Sequence, residues 1–144
     1  MALEGRDYIM TLVYKENAPL SIEAAQDLYR RSTLGERRPV DQPDRLAGML
    51  NHANLIITAW HEEYCVGIAR TLTDFTYVAY LADLAVDAAY QRQGIGRQLI
   101  FETRQRLTPA CMVVLLAAPQ AHTYYAQLGF EPHPRAWVRP GNHS

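Results

Sequence analysis

The spacing of apolar residues along the chain changes repeatedly between the two-residue period of strands and the three-to-four-residue period of helices. Apolar runs rich in β-branched and aromatic residues predict four strands, at 8–14, 55–60, 65–72 and 78–86. A tight turn at Glu62 and Glu63 joins the second of these strands to the third. The strands at 55–60, 65–72 and 78–86 are therefore expected to form an antiparallel meander.

Amphipathic spacing and helix-end residues predict about four helices. Ser21 is a good N-cap for the first, and Asp44 is placed to cap a second, short helix. A third helix at 94–107 carries one apolar face. A fourth at 122–128 is closed by Gly129, a residue suited to the left-handed C-terminal position of a helix.

The apolar run at 112–117 predicts a strand covered on both faces. Together with the strand at 78–86 and the helix between them, it predicts a right-handed crossover whose two strands are parallel. One or two last strands are expected within 130–139. With 144 residues, of which 49% are hydrophobic, the chain is expected to be a single α+β domain spanning residues 1–144.

Charge and cysteine content narrow the function classes. The net charge is −1, from 14 basic and 15 acidic residues, so no global field draws the protein to nucleic acid or to an anionic membrane. Residues 1–10 do not resemble a signal peptide, and no apolar run is long enough to span a bilayer. Cys65 and Cys111 lie within apolar runs, as reduced thiols do. A cytoplasmic protein without a nucleic-acid or membrane partner is expected.

The run from Gln91 to Arg97 contains two glycines between an apolar strand and a helix. Such a turn brings backbone amides close to a ligand and directs the positive end of the helix at an anion. A dinucleotide fold would have a third glycine where this chain has Leu99, and a phosphate-loop nucleoside triphosphatase would have lysine and a hydroxyl residue after Gly96. Taken alone, a glycine pair also fits a purely structural turn.

Two motifs together resemble a known family. Asp83-Leu84-Ala85-Val86 followed by Gln91-x-x-Gly94-x-Gly96 resembles the pyrophosphate-binding signature of the GNAT superfamily of acyl-CoA N-acyltransferases. The run from Tyr124 to Phe130 is similar to the family's second motif, in the same order and at similar spacing. The resemblance implies a mixed central sheet with an antiparallel N-terminal half, a splayed parallel strand pair and flanking helices.

The resemblance also implies a binding site for acetyl-CoA as the cosubstrate. Backbone groups of the strand would hold the pantetheine arm, and amides of the turn would hold the diphosphate. The cofactor-binding residues so implied are Leu84, Ala85, Val86, Gln91, Arg92, Gln93, Gly94, Ile95, Gly96 and Arg97. The five histidines are scattered without metal-ligand spacing, so no metal is expected.

Acetyl transfer from a thioester requires two proton transfers, because the amine must lose a proton and the departing thiolate gains one. Tyr125 matches the family's general acid by its place four residues before Gly129, although a core aromatic role is the alternative and Tyr124 fits equally on composition. Asp83 is the candidate base, directly or through water, and a carboxylate that only organises its neighbours is equally compatible. Strand alternation places Asp83 on the face opposite Leu84, unless a bulge intervenes.

Four further side chains in the sequence are titratable or nucleophilic candidates for the chemistry. Asp74, Tyr80 and His122 are reserve candidates for the base. Cys111 is disfavoured as a covalent nucleophile, because apolar surroundings raise the pKa of a thiol.

The acceptor pocket is expected between the first two helices and the loop at 34–44. Arg37 and Arg38 in that loop would suit an acceptor with an acidic group, whereas Phe75, Tyr77 and Tyr80 would suit an arylalkylamine. The predicted function is transfer of the acetyl group to a primary amine of a small molecule, by direct attack in a ternary complex. The alternatives are a catalytically silent acetyl-CoA-binding module and an acetyltransferase of protein lysines or N-termini. A homodimer is compatible with the resemblance.

Overall fold

The computed structural model describes residues 11–142 and contains one five-stranded mixed sheet with the strand order β1-β2-β3-β4-β5. The first four strands pair antiparallel, and β4 and β5 pair parallel, as predicted. The strands are β1 (Val13–Glu16), β2 (Leu55–His61), β3 (Tyr64–Thr73), β4 (Val78–Val86) and β5 (Met112–Val114).

Four α-helices lie in the described part of the chain: α1 (Ile22–Arg31), α2 (Pro43–His52), α3 (Ile95–Gln105) and α4 (His122–Gln127). Ser21 caps α1 as predicted, since its hydroxyl accepts a hydrogen bond from the amide of Ala24 at 3.0 Å. The predicted cap of α2 was wrong. This helix begins at Pro43, whose fixed φ favours the first helical position, and Asp44 lies in its first turn.

The helices cover both faces of the sheet. On one face, α1 and α2 bury Leu28 and Leu46 against the strand residue Ile68. On the other face, α3 buries Leu99 together with Ile57 of β2. Each fully buried leucine or isoleucine of this kind contributes roughly 1.5–3 kcal/mol to folding. The sheet is thereby fixed between two apolar layers.

Three strand predictions need correction or restriction. β5 lies at the sheet edge with Met112 50% exposed, so it is not covered on both faces as predicted. No strand is present within 130–139, a segment in which Pro132 and Pro134 cannot donate backbone hydrogen bonds. The predicted first strand at 8–14 lies partly outside the described residues, and β1 within them begins at Val13.

Among residues 11–142, no helix is long and apolar enough to cross a membrane. In the same part of the chain, no group of three or more histidine, cysteine, aspartate or glutamate residues has a geometry that could hold a metal ion.

Candidate active site

The parallel strands β4 and β5 diverge along their length. Their ladder contains three residue pairs and ends at Tyr80 and Val114. β4 continues to Val86 and remains paired with β3 on its other side. The β4 edge from Leu81 onward therefore faces a gap, where its backbone groups can pair with an extended ligand.

A β-bulge at Ala82 lies where the two strands part. Leu81 pairs with Thr71 of β3, whereas Asp83 pairs with Arg70, so that Ala82 is the extra residue. After the bulge, Leu84 packs with the α3 core cluster, while Asp83 hydrogen-bonds to Tyr29 of α1. Asp83 and Leu84 thus lie on opposite faces, as strand alternation predicted.

The gap opens into a long cleft of about 760 Å³. Nine of the ten residues predicted to bind the cosubstrate line this cleft, and Gln93 is the exception, exposed in the same turn. The nine are Leu84, Ala85, Val86, Gln91, Arg92, Gly94, Ile95, Gly96 and Arg97.

The beginning of α3 forms an anion cradle at one end of the cleft. Gly94 is the N-cap with φ +82°, a conformation that L-residues rarely adopt. The first intrahelical hydrogen bond runs from the Gln98 amide to the Gly94 carbonyl at 3.0 Å. The amides of Ile95, Gly96 and Arg97 come before this bond and have no intrahelical partner, so they are available to an anion.

One hydrogen bond ties the cradle to β4, and one glycine lets Tyr124 approach it closely. The side-chain amide of Gln91 donates to the Val86 carbonyl at 3.1 Å and so ties the turn to the end of β4. A Cβ atom at position 96 would lie 2.7 Å from the Tyr124 hydroxyl, so glycine keeps this space open. Tyr124 therefore lies over the start of α3, a position that the sequence motif did not reveal.

Tyr125 lines the cleft from α4. Its ring contacts Phe130 and Tyr124 edge to face, at centroid distances of 5.7 and 5.2 Å. Burial, with a smaller effect from Tyr124, raises the pKa of Tyr125 above its ordinary value. The phenol therefore carries its proton at neutral pH, which a proton donor requires.

Asp83 lies in a buried charged cluster behind the cleft. Its carboxylate accepts hydrogen bonds from Tyr29 at 2.6 Å, from the Arg38 Nε at 2.7 Å and from the Arg70 Nε at 2.5 Å. Burial opposes its ionisation, but Arg70, helped by Tyr29 and Arg38, outweighs burial and lowers the pKa of Asp83. An ionised carboxylate with three donors is a weak base, and Asp83 is not among the residues that line the cleft.

The partners of Asp83 were missed in the sequence. The available signal was that Arg70 and Asp83 are charged residues within the apolar runs of two adjacent strands, where the register makes them directly opposite. Burial raises the pKa of Tyr29, and the Asp83 charge and hydrogen bond reinforce that shift, so Tyr29 acts only as a donor here.

The reserve candidates lie elsewhere. The Asp74 carboxylate accepts hydrogen bonds from three backbone amides in the β3–β4 turn, and the bond from Tyr77 contributes most to lowering its pKa. His122 and Cys111 are not among the residues that line the cleft. Tyr80 lines a second cavity, described next.

This second cavity, the side cavity, has a volume of about 310 Å³ and adjoins the cleft. The loop at 34–44, predicted to form the acceptor pocket together with the first two helices, supplies Leu34, Arg37 and Arg38, whereas α1 and α2 supply none of the lining. The side cavity is lined by Leu34, Arg37, Arg38, Arg70, Tyr80, Ala82, Leu116, Ala117 and Ala118. It shares Leu34, Arg38, Ala82, Leu116 and Ala118 with the cleft.

The mixed sheet, whose parallel pair diverges beside the glycine-opened helix α3, matches the fold of solved GNAT-family structures. Residues 25–141 match the family model described as acetyltransferase (GNAT) domain. The chain belongs to the GNAT acetyltransferase family. The predicted family and fold class are thereby confirmed.

Similar proteins agree with this assignment. The chain is 35% identical over 71 residues to a Glycine max protein named histone acetyltransferase TAP1, a match that covers 48% of this chain and 31% of the relative. A GNAT-family acetyltransferase structure from Streptococcus pneumoniae has a TM-score of 0.70 at 23% identity, with 91% of this chain and all of that chain covered. An aminoglycoside N-acetyltransferase, AAC(6')-Iy, in complex with CoA, has a TM-score of 0.69 at 17% identity, with 94% and 97% covered.

Proposed function

We propose that the chain transfers the acetyl group of acetyl-CoA to a primary amine of a small molecule, by direct attack within a ternary complex. The observation that carries this proposal is a single cleft whose lining includes the anion cradle, the free edge of β4 and Tyr125. The amides of Ile95, Gly96 and Arg97 would bind the diphosphate, with Arg92 and Arg97 adding charge-assisted contacts. Backbone groups from Leu84 to Val86 would pair with the pantetheine arm.

Tyr125 is proposed as the proton donor. The neutral amine attacks the thioester carbonyl carbon, a C–N bond forms, and the C–S bond breaks. The departing sulfur takes the phenolic proton of Tyr125, and the proton lost by the amine passes to water. The Tyr125 phenolate then regains a proton from water. Amides at the β4 edge would stabilise the negative charge that develops on the carbonyl oxygen.

The anion cradle can be tested with Gly94→Ala and a matched control. Gly94 (φ +82°) and Gly129 (φ +92°) both have open space around an added Cβ, so alanine introduces similar backbone strain at each. That strain is about 1–2 kcal/mol and can be relieved only by moving the turn. We expect Gly94→Ala to weaken CoA binding about tenfold in calorimetry, and Gly129→Ala to weaken it less than about twofold.

Equal losses in the two glycine variants would remove the cradle from the proposal. The absence of heat when CoA is added to the unaltered protein would remove the enzyme assignment itself.

The pH dependence follows from the composition of the cleft. None of the described residues that line the cleft or the side cavity is aspartate, glutamate or histidine. The acidic limb of kcat/KM should therefore follow the pKa of the acceptor amine, because only its neutral form attacks. For two acceptors whose amine pKa values differ by about 2, the breaks in the pH profile of kcat/KM should also lie about 2 pH units apart. A break at the same pH for both would identify a protein base instead.

A protein acceptor is the alternative, since the similar Glycine max protein is named a histone acetyltransferase. The chain spans about a third of that relative's length. The arginines of the side cavity would repel a lysine flanked by other cations, which favours the small-molecule acceptor. Turnover on a peptide array without turnover of free amines would favour the protein acceptor. Acetyl-CoA binding without turnover of either would favour the catalytically silent module.

Location and assembly stay predictions. A cytoplasmic location is expected from the reduced cysteines, and burial raises the pKa of the Cys65 thiol to about 11, which makes it unreactive. A homodimer would have a free surface at β5, the sheet edge on which Met112 and Val114 are exposed.

A further inference from the structure

Among the described residues that line the side cavity, all the charged groups are guanidinium groups. Arg37, Arg38 and Arg70 line it, and none of its described lining residues is acidic. Within residues 11–142, Asp83 is the one carboxylate that pairs with Arg38 and Arg70, and its side chain is fully buried behind the lining. Three positive charges therefore face one negative charge, and the side cavity keeps an excess of positive charge.

The arginines retain hydrogen-bonding capacity toward the side cavity. Arg38 donates to the Asp83 carboxylate and to the carbonyls of Ala82 and Arg37, which uses three of the five N–H groups of a guanidinium. Arg37 is exposed and forms no ion pair within residues 11–142. Guanidinium groups with free donors bind carboxylates and phosphates in preference to neutral groups.

Acidic side chains near the loop do not cancel this charge. Asp41 pairs with Arg30 on the surface at 2.7 Å. Glu36 is exposed beside Arg37 but is not among the lining residues of the side cavity. Leu34, Leu116 and Tyr80 supply apolar lining next to the arginines, which suits a compact acceptor that has a short carbon framework.

We propose that the acceptor amine also carries an anionic group, a carboxylate or a phosphate, which Arg37 and Arg38 bind in the side cavity. This inference rests on the proposed acetyl transfer. The side cavity adjoins the cleft at the bulge residue Ala82, where β4 and β5 part, so the acceptor's anionic end and its amine would lie on either side of that point.

The positive charge of the side cavity also favours deprotonation of the acceptor amine. Nearby guanidinium groups disfavour a protonated amine and so lower the pKa of the bound acceptor. An anionic group on the acceptor offsets the repulsion during binding, whereas an acceptor with several amines would meet repulsion without compensation. This arrangement supplies the neutral amine in a cleft whose described lining has no acidic or histidine base.

The test compares acceptors that differ in the anionic group. One pair is 4-(aminomethyl)benzoate and benzylamine, and the other is O-phosphoethanolamine and ethanolamine, with kcat/KM expressed per neutral amine. We expect the anionic member of at least one pair to be favoured about tenfold or more. Arg37→Gln should reduce that preference about tenfold, and the exposed Arg45→Gln on α2 should leave it unchanged. The two pairs separate a carboxylate-specific from a phosphate-specific site.

If kcat/KM per neutral amine is equal or greater for the neutral member of both pairs, the inference is overturned and the proposed acetyl transfer is left intact. If none of the four amines is acetylated, calorimetry with the protein–CoA complex decides. Saturable binding of either anionic probe that is weakened by Arg37→Gln supports the inference. No binding of either probe, or binding that Arg37→Gln leaves unchanged, overturns it. CoA binding measured in the same titrations tests the proposed function separately.

Discussion

Tyr125→Phe is expected to lower kcat by about 10² or more while acetyl-CoA affinity changes less than about threefold, since general acids contribute 10²–10⁴ in rate. Phenylalanine keeps the edge-to-face contact with Phe130 and removes only the hydroxyl group. The fold should be unaffected, which thermal unfolding checks. Release of CoA thiol in single-turnover mixing measures the rate without interference from product release.

Tyr124→Phe is the matched control. The Tyr124 hydroxyl lies over Gly96 at the anion cradle, so its loss should raise KM for acetyl-CoA and lower kcat less than about tenfold. The opposite assignment, with kcat lost in Tyr124→Phe and retained in Tyr125→Phe, would exchange the roles of the two tyrosines.

The pH profile gives a second criterion for Tyr125. Burial raises its pKa above the ordinary value of about 10, so kcat in the unaltered protein should fall only at strongly alkaline pH, as the phenol ionises. Tyr125→Phe should lose that alkaline limb. A variant that keeps it would indicate that another group donates the proton.

Much of the fold could be predicted because its signals are local. The strand at 78–86 was predicted with the bounds observed for β4, since an apolar run between turn residues identifies a buried strand. Ser21 and Gly129 could be assigned to helix ends because capping depends on residues within one turn. The glycine turn before α3 was identified by the same local reasoning.

The errors concern features that depend on distant parts of the chain. The run at 112–117 is apolar in sequence, but within residues 11–142 β5 pairs only with β4 and leaves Val114 partly exposed. The segment at 130–139 contains aromatic and β-branched residues that favour strands, but its prolines interrupt the hydrogen bonding that a strand needs. Apolar content alone does not distinguish a central strand from an edge.

The candidate site likewise has one part that depends on local sequence and another that depends on distant residues. The cradle lies within one short segment and could be predicted, whereas the environment of Asp83 is built from α1, the loop before α2, and β3. Only the tertiary arrangement shows that Tyr29, Arg38 and Arg70 converge on one carboxylate. That arrangement also makes Arg38 a link between the buried cluster and the side cavity, since its guanidinium belongs to both.

Asp83→Asn is expected to destabilise the protein by about 3–5 kcal/mol, the cost of breaking a buried ion pair by removing one partner. Asparagine has nearly the same shape but leaves Arg70 and Arg38 without their counter-charge in a site where the carboxylate is 0% exposed. Urea unfolding measures the change. Asp41→Asn, which breaks an exposed pair with Arg30, is the control and should have little effect.

The effect of Asp83→Asn should depend on pH with a defined sign. The pKa of Asp83 is lower in the folded than in the unfolded protein, so its ionisation stabilises the fold above the unfolded pKa of about 3.9. That stabilisation is lost as pH falls through the lower folded value. The difference in unfolding free energy between the unaltered protein and Asp83→Asn should therefore be full at pH 7 and shrink below about pH 4.

The same variant separates the two roles considered for Asp83. If the Asp83 carboxylate only organises Arg38 and Arg70, Asp83→Asn should have lowered stability. The activity that this variant retains at low temperature should still follow the pKa of the acceptor amine. A general base would give a variant of normal stability that loses turnover by 10² or more and changes its pH profile. The first result is expected, because three hydrogen bonds hold the carboxylate as the anion. Asp83 itself does not line the cleft, and of its three hydrogen-bond donors Arg38 does.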